Sequence, residues 1–390
     1  MKLVVIGFGQ CGGRIADEFS KLNARARFRR RIEPIVGTFA VNTDIGDLSC
    51  LTSIKSDYKH RILFGSGQAG AHGVGKINEV GAEIARQNGD KVIDALRSNE
   101  RIYEADAFLL IAGTAGGTGS GSMPIMAQTI KERFKDKPVY TLVALPFEHE
   151  EKTETRTSYN SATCLKAVYS VADAVFLVDN QRFIEKDSSL INNMTAINHL
   201  IAEPFYDLLC AGEEKKAKHI GARLLDTGDI METLAGWTVL GYGVSQLPII
   251  RNPFGQRNFR KKSTETHNGL RAMNQAISNL SLTCDPNYSS SALYVLSAPA
   301  QEMNMDTVKE LGDCLSGVAP KATIRYGDYP RGGNTLTITV MLSRLNYVEK
   351  VKEYYDKMPN LIQEKETTQE EGEAKLKELI DASMKVPSLV

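Results

Sequence analysis

Two periodicities take turns along the first half of the chain. Short apolar runs read as buried strands: "KLVVIGFG", "PIVGTFAVNTD", "RILFG", "ADAFLLIAGT", "PVYTLVALPF" and "DAVFLVDN". Between them, "CGGRIADEFSKL", "VGKINEVGAEIARQNGDKVIDALRS", "GSMPIMAQTIKERF" and "SYNSATCLKAVYSV" place apolar residues at helical spacing. Strand and helix in regular succession predict an α/β fold, a doubly wound and mostly parallel Rossmann-like sheet over residues 1–189.

The rhythm then changes. "LINNMTAINHLIAEPFYDLLC", from Leu190 to Cys210, predicts a long central helix, kinked or briefly interrupted at Pro204. With the acidic loop after it, this segment spans 190–236. Strand-like "TVLGYGVSQLP", "SALYVLSAP", "KATIRYGDYP" and "TLTITVMLSR", separated by two helical patterns, predict a smaller α+β domain over 237–345. The remainder, 346–390, is charged and helix-prone, and is expected as a solvated helix or frayed tail.

Composition narrows the class. A length of 390 residues with 42% hydrophobic and 24% charged residues suits a globular protein of more than one domain. Lys plus Arg and Asp plus Glu stand at 47 each, so net charge argues for neither nucleic acid nor an anionic membrane as partner. The basic cluster "RARFRRR" at Arg25 to Arg31 reads as solvated surface. Six scattered cysteines without a C-x-x-C pair suit reduced thiols in the cytoplasm. The opening strand is unlike a signal peptide, and no run approaches the roughly 18 apolar residues of a membrane span.

Three glycine-rich loops compete for the chemistry. "GFGQCG", from Gly7, satisfies the dinucleotide pattern G-x-G-x-x-G, but Asp44 lies well past the offset of about 20 residues at which a ribose-binding acid is wanted. "GAHGVGK", from Gly70, mimics a P-loop yet continues with Ile77 where Ser or Thr should hold magnesium. "AGGTGSG", Ala115 to Gly121, follows a buried strand and opens a helix expected from about Ser120. Its backbone can approach an anion closely, Thr118 and Ser120 can add hydroxyl donors, and the positive helix end faces the same point. A tight turn alone explains two or three of those glycines.

That heptapeptide resembles the tubulin signature, and the likeness extends. "GFGQCGGRI" resembles the first nucleotide loop of tubulins, "FAVNTD" the second loop of FtsZ, and "GQAGAHGVGK" the third. "VDN" at Asn180 and "NHL" from Asn198 resemble the superfamily's ribose and guanine segments. Within the tubulin/FtsZ superfamily, "MKLVVIGFGQ", the third loop and "DTGDIMETLAG" look most like CetZ, the archaeal tubulin-like proteins linked to cell shape.

The resemblance implies GTP/GDP and magnesium as ligands. It sets Gln10, Cys11, Gly12, Gly13 and Arg14 under the phosphates, with Gln10 and Asp44 toward the metal. Asn42 and Asp44 approach from the second loop, Gly70, Ala71 and His72 wrap the terminal phosphate, and Ala115, Gly116, Gly117, Thr118, Gly119 and Ser120 cradle it. Asn198 pairs with guanine, since a carboxamide offers donor and acceptor together. Met194 stands one turn earlier, where relatives place an aromatic. Asn180 contacts ribose, together with Glu150 or Glu154, and less readily Glu148. Asp226 and Asp229 correspond to acids that reach the next subunit's pocket and complete hydrolysis there, although Leu224 replaces the family's Asn. A helix N-cap followed by a first-turn acid explains the same two residues.

The implied activity is that of a cytoplasmic GTPase polymerising with itself, head to tail, into protofilaments. The alternatives are an NAD-dependent oxidoreductase using Gly7 to Gly12, or a nucleotide-dependent scaffold that hydrolyses poorly.

Overall fold

The computed structural model describes residues 1–65, 72–184, 190–247, 259–363 and 375. In chain order the first half comprises β1 (Leu3–Phe8), α1 (Gly9–Arg30), β2 (Ile35–Asn42), α2 (Ile45–Ser49), β3 (Arg61–Leu63), α3 (Asn78–Arg97), β4 (Ala107–Gly113), α4 (Gly117–Arg133), β5 (Val139–Leu145), α5 (Glu148–Thr153), α6 (Thr155–Val171) and β6 (Ala174–Asp179). After them come α7 (Leu190–Ala211), α8 (Thr227–Thr233), β7 (Gly236–Gln246), α9 (Phe259–Ser278), β8 (Ser291–Ala298), α10 (Met305–Val318), β9 (Thr323–Pro330) and β10 (Thr335–Leu345).

Ten strands form one sheet in the order β3-β2-β1-β4-β5-β6-β7-β10-β8-β9. Pairing is parallel from β3 through to β7 and antiparallel where β10 meets β7 and β8. The first six strands have the doubly wound order, which reverses between β1 and β4. Only the short β6–β7 ladder, Ala174 to Phe176 against Gly236 to Thr238, carries the sheet into its second half.

The sheet separates two cores, because alternate side chains of each strand point to opposite faces. Val4, Ile6 and Phe8 of β1 belong to one core, Leu3 and Val5 to the other. On the second face α7 packs along α1 and reaches β7, β8 and β10, so one helix braces both halves.

Three expectations differ from the structure. α4 begins at Gly117, three residues before the expected start. Its first turn is built from glycines with poor helix propensity and is held by close packing on α3. α7 continues through Pro204 without interruption, its proline lying over the second core between Ala202 and Phe205. The charged tail is docked over its first part: a helix at 349–363 buries Val351 and Tyr354, and Val348 just before it, and Tyr354 Oη donates to Glu151 at 2.5 Å.

Candidate functional site

The carboxyl ends of β1, β2, β4, β5 and β6 lie side by side, and the order reverses between β1 and β4. Loops on either side of such a reversal diverge and leave a crevice. Here the crevice is flanked by the starts of α1 and α4. Both helix N-termini lack a side-chain cap and a first-turn acid, whereas α2, α8 and α10 are capped by Asp44, Asp226 and Asn304. Two uncapped ends at one crevice leave backbone donors and positive dipole ends for an anion.

The glycines divide by task. Gly9 turns the chain with φ 68°, and a Cβ there would lie 3.0 Å from the Gly119 nitrogen. Gly117 is pressed on Val74, Lys76 and Ile77, Gly119 on the Phe8 and Gly113 carbonyls, and Gly121 on the Asn78 carbonyl. At these three a Cβ would collide with neighbouring atoms, so packing of the loop also demands glycine there. Gly116, the N-cap of α4, has nothing within 4 Å of a Cβ position. It borders open space.

The hydroxyls are also partly engaged. Thr118 Oγ1 bonds Thr43 Oγ1 at 2.6 Å, joining the second loop to α4. Ser120 turns inward and donates to the Gly116 carbonyl, contrary to the expected role as a donor to ligand. Ala115 is held by Asn160, whose Nδ2 donates at 2.9 Å to the carbonyls of both Ala115 and Lys76. Sequence reading passed over Asn160, a buried amide inside a helix 45 residues downstream of Ala115.

Below the crevice, Gly12 and Gly13 are buried and Arg14 is half-buried. Burial pushes the Cys11 thiol up to about 12, with the charge of nearby Glu150 adding and Arg14 opposing. A thiol held protonated this way is a packing group. Gln10 Nε2 and Asn42 Nδ2 donate to the two oxygens of Asp47, at 2.8 and 2.9 Å. Asp47, missed in the sequence, therefore organises the first two loops. Asp44 caps α2 by accepting the Asp47 N–H at 3.0 Å. Asp44 also bridges His72, which is exposed, while Gly70 and Ala71 lie outside the described residues. Magnesium takes one or two carboxylates and completes its shell with water and phosphate, so Gln10, Asp44 and Asp47 fit such an ion. Among the described residues no cluster of three or more acidic, His or Cys ligands offers an all-protein metal site.

Along the other wall, Asn180 and Asn198 are buried and Met194 is half-buried against the second core. α7 packs on both α1 and the turn Asn180–Phe183, which brings these residues to one wall. Glu150 caps α5 through the Phe147 N–H at 3.0 Å and its charge is felt at Cys11, whereas Glu154 pairs with Lys76 at 2.5 Å near the third loop. Glu148 is an exposed first-turn residue of α5.

The acidic loop is elsewhere. Met1 bonds the Leu209 carbonyl and pairs with Glu213 at 3.0 Å, which fixes the end of α7 at the amino-terminal edge of β1, opposite the crevice. Gly212 there abuts both Met1 and Thr227 of α8. From Asn198 to Ala211 the helix rises about 20 Å. Asp226 and Asp229 stand at this far end, exposed and half-exposed. Asp226 is the N-cap of α8, and Asp229 lies 3.3 Å from Arg325 Nε. The loop before them is moored by Asp328, which accepts the N–H of Ala222 at 2.8 Å and of Arg223 at 2.7 Å.

Comparison with known proteins agrees along the chain. Residues 2–187 match the Tubulin/FtsZ family GTPase domain and residues 187–359 the C-terminal domain of tubulin-like CetZ. The tubulin-like protein CetZ1 of Haloferax volcanii is 31% identical over 369 residues, 90% of each chain. CetZ of Pyrococcus abyssi is 27% identical over 97% of this chain and 95% of its own. Among solved structures, the GDP-bound CetZ1 monomer of H. volcanii superposes with a TM-score of 0.77 at 28% identity, covering 91% of this chain and 97% of that one. The GTPγS-bound CetZ2 protofilament from the same organism gives 0.80 at 27%, covering 94% and 100%. The chain belongs to the Tubulin/FtsZ family and, within it, to the tubulin-like CetZ proteins.

Proposed function

We propose that this protein binds and hydrolyses GTP and assembles head to tail into protofilaments, with hydrolysis completed between subunits. The observation that carries the reading is the placement of two incomplete halves of one site at opposite ends of the sheet. The crevice between α1 and α4 offers backbone donors for an anion, with its own Asp44 and Asp47 engaged in tying the first two loops together, and Asp226 and Asp229 offer acids without a pocket. Stacking one subunit on the next joins the two halves. Such a heterologous contact propagates as an open filament when its rotation does not close.

In this scheme the N–H groups from Gly116 to Gly119 and those at Gln10 to Gly12 receive the phosphates, with Thr118 fixed by Thr43. Asn198 presents its carboxamide to guanine, Met194 packs on the base, and Asn180 with Glu150 holds the ribose. Glu150 is preferred to Glu154 because Glu154 is taken by Lys76. Gln10 and Asp44, with Asp47 behind them, would hold magnesium, which would supply positive charge toward the phosphate oxygens. Asp226 and Asp229 of the following subunit orient water for in-line attack. Segments 1–189, 190–236, 237–345 and 346–390 then act as nucleotide domain, brace with acidic loop, supporting domain and extension.

The bound structures of the H. volcanii relatives, with GDP and GTPγS, support the ligand, and their protofilament supports the assembly. Membership of CetZ supports a cytoplasmic role in cell shape. Leu224, 49% exposed where the family has Asn, favours slow hydrolysis. Sedimentation of the purified chain with GTP, with GDP and without nucleotide, read beside phosphate release, tests the proposal. Pelleting that ignores nucleotide, with no phosphate released, would contradict it.

A further inference from the structure

At the far end of α1, about 30 Å along the helix from the crevice, lies a second cleft of about 360 Å³ between α1, α7 and the turn from β9 to β10. Four arginines line it: Arg25, Arg29, Arg30 and Arg331. Three carboxylates answer them. Arg25 pairs with Glu203 at 2.7 Å, Arg331 with Glu214 at 2.8 Å, and Arg30 with Asp207. Arg29 is exposed and makes no ion pair among the described residues, which leaves one positive charge in excess.

Hydrogen bonding points the same way. Nε of Arg25, Nε of Arg331 and Oη of Tyr206 are buried and lack a partner. Tyr206 is itself 7% exposed, with the Arg25 and Arg30 guanidiniums over its ring at 3.9 and 4.5 Å. Arginine has donors only, so the cleft is short of acceptors as well as of negative charge. Burial, and then the neighbouring charge of Arg30, hold Arg331 below its usual value, whereas at Arg30 burial is outweighed, chiefly by Asp207, and the guanidinium stands above its own.

We propose that this cleft is a second binding site, for a phosphoryl oxyanion, distinct from the nucleotide crevice. A planar guanidinium receives two phosphate oxygens at once, and small rotations of Arg25, Arg29 and Arg331 bring their free N–H groups onto such a group. The volume suits a small phosphorylated molecule or a phospholipid headgroup. The cleft also shares elements with the acidic loop, since Glu214 and His219 precede Asp226 and Arg331 follows Asp328. Occupancy would therefore be felt at the filament contact.

Calorimetric titration with pyrophosphate tests the site in the full chain. Wild type should show a saturable component that Arg29→Gln weakens about tenfold or more, the loss of one charge-assisted contact. Tyr206→Phe, which removes only the unpartnered hydroxyl, should weaken the same component several-fold. Nucleotide binding remains as in wild type, because neither residue is near the crevice. Co-sedimentation with vesicles of pure phosphatidylglycerol against pure phosphatidylcholine separates the sources. Anionic-vesicle binding lost in Arg29→Gln assigns a headgroup, and a soluble response alone assigns a free phosphate. Pyrophosphate affinity unchanged in both variants, with equal behaviour toward the two vesicles, overturns the proposal.

Discussion

Asp226 Oδ1 accepts the backbone N–H of Asp229 at 2.8 Å, so one acid of the loop caps the helix on which the other stands. Capping and catalysis are then separable by substitution. Asn caps as well as Asp, so Asp226→Asn should keep α8 and the fold while losing most phosphate release. Asp226→Ala should lose the same turnover and cost about 1 kcal/mol of stability in addition. Equal turnover in wild type and Asp226→Asn, measured at high protein concentration, would reduce Asp226 to a cap.

Gly116 and Gly117 should respond differently although adjacent. Gly116 borders open space with φ −76°, and Asp is a favoured N-cap, so Gly116→Asp should fold with unchanged melting. Its carboxylate would then occupy and repel the phosphate position, abolishing GTP binding by calorimetry. Gly117→Val instead meets Val74 at 2.7 Å and the Ile77 nitrogen at 2.8 Å, and should lose stability along with binding. Normal GTP affinity in Gly116→Asp would remove the crevice from the account.

Asn160 binds the signature loop to the loop before α3. Asn160→Ala removes the donor to two part-buried carbonyls, a loss of about 1 kcal/mol. Nucleotide affinity should fall by about tenfold as Ala115 and Lys76 loosen, a comparison made by fluorescence titration of the two proteins. Unchanged affinity in a destabilised variant would confine Asn160 to folding.

Asp17 supplies a pH dependence. Burial alone would raise its carboxyl, but donation from the N–H groups of Ile54, Ser53 and Thr52 outweighs this and holds it below the ordinary value of 3.8. A depressed folded value means the carboxylate's contribution is complete above 3.8 and drains as pH falls through the lower value. The stability gap between wild type and Asp17→Asn, about 1–3 kcal/mol near neutrality, should close in more acid urea melts. A gap independent of pH would assign the effect to packing.

Much of this was legible because buried parallel strands are continuous apolar runs and their order follows from alternation with helices. The loops could be recognised for the same reason, since each follows such a strand directly. What escaped depends on partners distant in the chain. Nothing local announces that Asp328 moors Ala222 and Arg223 from 106 and 105 residues away, or that Asn160 turns toward Ala115. Gly117 and Gly119 oppose helix by propensity, which argues for a later start of α4, and packing on α3 overrides them. The docked helix after β10 did carry a sign: Val348, Val351, Tyr354 and Met358 recur at helical spacing amid the charges.

Hydrolysis across subunits is tested most directly by complementation. Asp226→Asn should bind GTP without turning it over, and Gly116→Asp should keep its acidic loop without binding GTP. In a mixture, the second variant can set its intact Asp226 over nucleotide held by the first. Phosphate release from a fixed amount of Asp226→Asn should therefore climb as Gly116→Asp is added, level off at saturation, and follow total concentration as mass action requires. Release that stays flat while Gly116→Asp pellets together with Asp226→Asn would contradict catalysis between subunits.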